Sequence, residues 1–265
     1  MNLNLKHNTT LSAEDLCIGY GRGSREIRVV EGLTFSLQSS ELVGIVGVNG
    51  IGKSTLLRTL GGVQPSLSGN LSVNGEALKE INQRKLAELL SVVLTEPTAS
   101  GNLTALELVS LGRHPHTNWI GSLTAQDRKV VLEAVEWMQI EKLVQKKCFE
   151  LSDGQLQRVF IARALAQDTR IILLDEPTTH LDLYHKVQIL KLLQRIAHEH
   201  GKTILFTTHE IELAIQLCDK LLVLDNEQNA FGTPSELIAR HSFEKLFPED
   251  TLVFDPRTAS FKVNK

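Results

Sequence analysis

The stretch that most limits how this chain can fold is Gly47 to Thr55, GVNGIGKST. It fits the pattern GxxxxGK[ST], follows the apolar run ELVGIVG and leads into the helical-looking STLLRTL. A strand that turns through glycines directly into a helix belongs to an open α/β sheet. In such a turn, successive backbone N–H groups can point inward around a phosphate chain. Gly47, Asn49, Gly50, Gly52, Lys53, Ser54 and Thr55 are therefore the candidate phosphate-binding residues. Lys53 supplies positive charge to the β- and γ-phosphates, and Ser54 can ligate Mg²⁺.

The rest of the chain supports that reading. Apolar runs at IILLD, KTILFTTH and KLLVLD alternate with helical stretches, which predicts a mostly parallel α/β core. Before the loop, alternating runs such as IRVVEGLTFSL predict antiparallel strands, and GNLSVNGEAL adds a strand ending in an Asn-Gly turn. From Glu96 to Ala166 the texture is helical, with Thr124 and Asp127 spaced as a capping box. The expected fold class is α/β: a phosphate-loop core with a mostly parallel sheet, an N-terminal antiparallel β subdomain and an inserted helical subdomain. The expected division of the single domain is residues 11–95 and 167–235 for core and β subdomain, 96–166 for the helical insertion and 236–265 for a C-terminal extension. A short helix near Pro234 to Arg240 and a terminal hairpin are expected in that last part.

Composition removes several functions. The 265 residues carry 31 acidic and 28 basic side chains, a net charge of -3 that argues against a dedicated nucleic-acid binder. The three cysteines are widely spaced and form no CxxC pair, as expected of buried thiols in a reducing compartment. The polar first ten residues lack the apolar stretch of a signal peptide, and no apolar run approaches the ~18 residues of a membrane span. A soluble, cytoplasmic chain is expected.

Three further motifs carry chemistry. In IILLDEP an apolar strand ends in two carboxylates, which places Asp175 and Glu176 at the carboxyl edge of the sheet, where open α/β folds bind ligands. Asp175 suits a Mg²⁺ ligand and Glu176 a residue that polarises the attacking water. In FTTHE, His209 lands on the same edge and can hydrogen-bond a γ-phosphate. In LSDGQLQR, Ser152 and Gly154 precede or open a helix, a second anion site about a hundred residues after the first.

GVNGIGKST, LSDGQLQR, LLDEP, HLD and TTH, in this order, resemble the nucleotide-binding subunit of an ATP-binding cassette (ABC) transporter, over roughly residues 11–235. The resemblance implies an ATPase that binds ATP with Mg²⁺ and works as a head-to-tail homodimer. In such a dimer Ser152, Gly154 and Gln155 of one subunit read the ATP held by the phosphate loop of the other. It further implies that Tyr20 stacks on adenine, that Asp182 crosses the dimer interface, and that Lys53, Glu176 and His209 serve hydrolysis. Asp153 departs from the pattern, standing where a second glycine is usual; it is expected to point away or to cap the helix. LTALELVSLGRHPH resembles importers of ferric siderophores, haem and cobalamin, which implies integral membrane permeases as partners and, indirectly, a substrate-binding protein. The subunit would then sit on the inner face of the membrane, with this stretch as the surface that receives the permease. His114 and His116 flank Pro115 without sharing a helix face, so no metal site is expected there. The family's usual glutamine after the strand is replaced by Thr95, followed by Glu96. The alternative within the superfamily is a soluble iron–sulfur assembly ATPase.

Overall fold

The computed structural model describes residues 8–21, 23–94, 101–117, 121–248 and 250–264. Thr95 and Glu96 lie outside them.

In chain order the first half contains β1 (Thr9–Tyr20), β2 (Ile27–Gln38), β3 (Leu42–Val46), α1 (Lys53–Leu60), β4 (Ser68–Val73), β5 (Glu76–Ala77), α2 (Gln83–Leu89), β6 (Leu90–Val93), α3 (Ala105–Ser110) and α4 (Ala125–Trp137). The second half contains α5 (Asp153–Ala166), β7 (Ile171–Leu174), α6 (Leu183–His200), β8 (Thr203–Thr207), α7 (Ile211–Leu217), β9 (Lys220–Val223), β10 (Ala230–Gly232), α8 (Pro234–Ala239), β11 (Leu252–Asp255) and β12 (Ser260–Val263).

The central sheet has the order β10-β9-β3-β8-β7-β6 and is parallel except for β10. β3, β7 and β8 are buried at every position, as parallel strands covered on both faces must be. Alternate residues feed two cores. Val43, Ile45, Ile171, Leu173 and Leu205 face α1 and the antiparallel sheet β2-β1-β4-β5. Leu42, Val46, Ile172, Leu174, Ile204 and Phe206 face the side that carries α3 to α7. The hairpin between β4 and β5 turns at Asn74 and Gly75, both at positive φ, as a two-residue turn requires. The chain ends in the β11–β12 hairpin, packed through Phe254 and Phe261 against Phe243 and Phe247.

Several helices start where the sequence provides a cap. Thr124 and Asp127 form a reciprocal capping box on α4, and Ser152 with Gln155 forms one on α5. The expected helix over LTALELVSLGR is shorter than its apolar pattern suggests. α3 ends at Ser110 and tightens into a 3₁₀ helix, Leu111–His116. Gly112 lets this segment approach α5 closely: a Cβ there would lie 2.1 Å from the carbonyl oxygen of Arg163. Gly112 and Arg113 are also buried, so this part of the stretch serves internal packing. Leu111, His114 and His116 keep an exposed face.

Strand register sets the functional edge. Ile45 of β3 pairs with Thr207 of β8, while Leu174 of β7 pairs with Phe206 of β8 and Val93 of β6. The residues following β3, β7 and β8 therefore emerge side by side.

Candidate active site

The loop after β3 is shaped by glycines in the left-handed half of backbone space. Gly52 (φ 112) precedes α1, and a Cβ there would come within 2.5 Å of the Val29 side chain. Gly50 (φ 81) has nothing within 4 Å of a would-be Cβ, so the loop is open on that side. No side chain caps α1. Its first N–H groups face the loop without a cap, which suits an anion.

Lys53 is buried at 5% exposure, and its Nζ donates to the carbonyls of Gly47 (2.9 Å) and Val48 (3.2 Å). Burial pushes its ammonium below the usual lysine range, while the carboxylates of Glu176 and Asp175 pull it back up. Lys53 Nζ also lies 3.3 Å from His209 Nδ1.

Asp175 is buried at the end of β7, and its N–H donates to Val93 O (2.8 Å). Its Oδ1 accepts from Ser54 Oγ (3.0 Å) and Thr207 Oγ1 (2.7 Å). A carboxylate and a hydroxyl held together beside an uncapped helix end are hard oxygen donors that fit a small divalent cation on phosphate. Among the described residues there is no cluster of three or more His, Cys, Asp or Glu side chains that would form a separate metal site.

Glu176 has φ 47, in the left-handed region, which costs a non-glycine residue about 1–2 kcal/mol. Its carbonyl accepts from Thr179 N (3.2 Å), and three further contacts hold it there. Its N–H donates to Thr207 Oγ1 (2.8 Å), Thr179 Oγ1 donates to its Oε2 (2.8 Å), and Oε1 lies 2.5 Å from His209 Nε2. Lys53, His209 and Glu176 thus form one chain of contacts, with Asp175 and Ser54 alongside.

Tyr20 ends β1 with its ring half exposed and its hydroxyl 2.6 Å from Thr55 Oγ1. A partly exposed aromatic face is thereby fixed beside the phosphate loop.

Ser152, Gly154 and Gln155 stand apart from this cluster. They line a concavity of about 590 Å³ with Arg158, Lys142 and His185. Ser152, rather than Asp153, is the cap; Asp153 is the first helical residue and exposed. Asp182 caps α6, accepting from His185 N at 2.9 Å, and its side chain is exposed. The His185 backbone N–H holds its carboxyl below the usual range, helped by the His185 ring. Arg158 Nη2 donates to Gln188 Oε1 (2.6 Å), and Gln188 Nε2 donates to Tyr184 OH (2.6 Å), which ties α5 to α6.

Sequence reasoning did not single out Thr207, Thr179, Arg158 or Gln188. The only available signal was their position next to motifs. His116 Nε2 lies 2.9 Å from the carbonyl oxygen of Gln167. All three cysteines are buried and form no disulfide.

The profile of the ABC transporter family matches residues 30–179. The chain belongs to the ABC transporter family. An ABC transporter ATP-binding protein of Methanocaldococcus jannaschii is 38% identical over 89% of this chain and 81% of its own length. The iron(3+)-hydroxamate import ATP-binding protein FhuC of Bacillus subtilis is 37% identical over 94% of this chain and 92% of its own. Among solved structures, a metal-chelate type ABC transporter in an inward-facing conformation matches with a TM-score of 0.77 at 29% identity, covering 91% of this chain and 89% of the other. A dimeric bacterial ABC transporter cassette matches with a TM-score of 0.71 at 28% identity, covering 83% and 97%. This ABC transporter chain is an ATP-binding protein and an ATPase.

Proposed function

We propose that this ABC ATPase powers the import of an iron chelate of the siderophore kind through separate permease subunits, as a head-to-tail dimer with ATP between the two copies. The observation that carries the reading is that the site is divided. Lys53, Asp175, Glu176 and His209 converge at one edge, while the anion-suited start of α5 at Ser152 and Gly154 lies in a separate concavity. A second copy turned end to end gives that helix start a ligand, the ATP on the facing phosphate loop, and the dimeric cassette is a precedent. Asp182, exposed beside the same concavity, then meets the facing subunit.

Within each half-site the residues divide the work. The loop N–H groups and Lys53 hold the β- and γ-phosphates, and Tyr20 stacks on the adenine. Ser54 and Asp175 hold Mg²⁺, which when bound neutralises phosphate charge. Glu176 orients and polarises the attacking water, and His209 fixes Glu176 while facing the γ-phosphate.

Among the described residues no helix is long and apolar enough to cross a membrane, so transport needs integral partners. FhuC and the metal-chelate transporter support the cargo class and a place at the inner membrane face. A substrate-binding protein outside the membrane completes the system.

The test is uptake of ⁵⁵Fe-hydroxamate by the native host lacking this chain, complemented with the wild type or Glu176→Gln, with haem and cobalamin uptake measured in parallel. Restoration by wild type alone is expected. Unchanged siderophore uptake in the deletion strain, with the tagged chain recovered among soluble iron–sulfur assembly proteins, would overturn the import reading.

A further inference from the structure

The site contains a hydroxyl that touches both acidic residues, and its polarity is forced. Thr207 ends β8 and is fully buried. Because Leu174 pairs with Phe206, the next step along the parallel strands sets Thr207 beside Asp175. Its Oγ1 lies 2.7 Å from Asp175 Oδ1 and 2.8 Å from Glu176 N. The backbone N–H of Glu176 can only donate, and an ionised carboxylate can only accept. The hydroxyl proton must therefore point to Asp175, and the oxygen must receive Glu176. The order is Glu176 N–H to Thr207 Oγ1, then Thr207 O–H to Asp175. Each bond strengthens the other where no water competes.

We propose that Thr207 is a positioning residue for ATP hydrolysis, setting the orientation of the Asp175 carboxylate toward the bound cation and the backbone turn that aims Glu176. Two features of the geometry give it this influence. Asp175 Oδ1 is shared between Ser54 Oγ and Thr207 Oγ1, so loss of either hydroxyl removes one of the bonds that orient the carboxylate. Glu176 sits at φ 47, and its N–H donates to Thr207 on one side of the strained residue while its carbonyl accepts from Thr179 N (3.2 Å) on the other. The Thr179 hydroxyl and His209 hold the end of the side chain. Threonine suits the place twice over. Its branched Cβ fits the strand and its hydroxyl serves the site, whereas valine has the same shape without the oxygen.

The inference rests on Asp175 and Glu176 serving ATP hydrolysis, and the test separates the two. Thr207→Val, Thr207→Ala and Thr207→Ser are compared with wild type in steady-state ATPase over a Mg²⁺ titration. Binding of a fluorescent ATP analogue is measured in EDTA and in Mg²⁺. Thr207→Ser should keep kcat within threefold. Thr207→Val and Thr207→Ala should lose at least tenfold in kcat with KM for ATP changed by less than threefold, and should need several-fold more Mg²⁺ for half-maximal rate. Binding in EDTA should match wild type, while the gain on adding Mg²⁺ should shrink. If the valine variant does not fold, the serine and alanine pair, which differ by one oxygen, decides the matter. A serine variant as impaired as alanine, or valine and alanine variants with wild-type kcat and Mg²⁺ midpoint, would overturn the role of Thr207. A wild-type chain lacking Mg²⁺-dependent ATPase would instead remove the reading beneath it.

Discussion

Arg113 donates through Nε to Oδ1 of Asp127 at 2.9 Å, and both side chains are only 7% exposed. Arg113 Nη1 also donates to the carbonyl of Ala166 at 3.0 Å, at the end of α5. The other oxygen of Asp127 accepts from Thr124 N and Thr124 Oγ1 at the start of α4. One buried pair thus fastens the 3₁₀ segment, α4 and α5. Removing one partner of such a pair leaves a buried charge and costs about 3–5 kcal/mol. Arg113→Met should lower Tm by roughly 10 °C at neutral pH, since ~1 kcal/mol shifts a chain of this size by about 2–4 °C. A loss below about 2 °C by calorimetry would show that the fastening has little weight.

The same carboxylate sets an acid limit. Hydrogen bonds from Thr124, helped by Arg113, hold Asp127 down to about 2. A group depressed in the folded state stabilises above its unfolded value of about 3.9, and that contribution disappears as pH falls toward 2. Asp127→Asn should therefore be less stable than wild type at pH 7, with the gap narrowing between about pH 4 and pH 2. Melting curves at pH 7 and pH 3 check this; a gap that stays constant would contradict it.

Glu176→Gln should keep ATP binding and lower turnover by roughly 10²-fold, because the amide retains the shape and the Thr179 contact but loses the charge that polarises water. Steady-state ATPase within threefold of wild type would assign the chemistry elsewhere.

How much was readable before folding depended on whether a residue's role was local. Lys53, Ser54, Asp175, Glu176 and His209 were found because each follows an apolar strand, and strand ends in a parallel sheet share an edge. Thr207 was invisible as a hub: a threonine at a strand end is also what strand preference alone selects. Arg113 falls within a stretch that the family resemblance assigns to the permease-facing surface, yet it is buried. Its burial depends on Ala166, far along the chain, and on the close approach of Gly112 to Arg163. The cap of α4 is legible as the Thr124–Asp127 pair, since a cap is a relation over three residues, whereas at α5 the sequence points to Asp153 and the cap is Ser152.

In ATP, Glu176→Gln should form a stable dimer that Ser152→Arg in the same background does not. Ser152 caps α5 at an exposed helix start, and a bulky cation there removes the cap and fills the concavity it shares with Gly154 and His185. Size-exclusion with light scattering reads the outcome. An equally stable dimer with Ser152→Arg would exclude this helix start from the interface.

The indole of Trp137, at the end of α4, stacks on the imidazole of His200, at the end of α6, with ring centroids 3.9 Å apart and planes 23° from parallel. Partial desolvation pushes the His200 pKa down. Glu199 and Glu133 oppose the shift, while Lys202 and Arg195 add to it. Desolvation is the largest of these influences, so the fold favours the neutral ring. The sign follows: the contribution is full above the ordinary histidine value of about 6.5. It declines below that value, because the unfolded chain takes up its proton first. His200→Phe keeps an aromatic partner and cannot titrate, so its Tm should fall less than that of wild type between pH 7.5 and pH 5.5. Trp137→Ala should lose about 1 kcal/mol of stacking at pH 7.5 and also flatten the pH dependence. Parallel pH profiles for wild type and both variants would show that His200 titrates as it does in the unfolded chain.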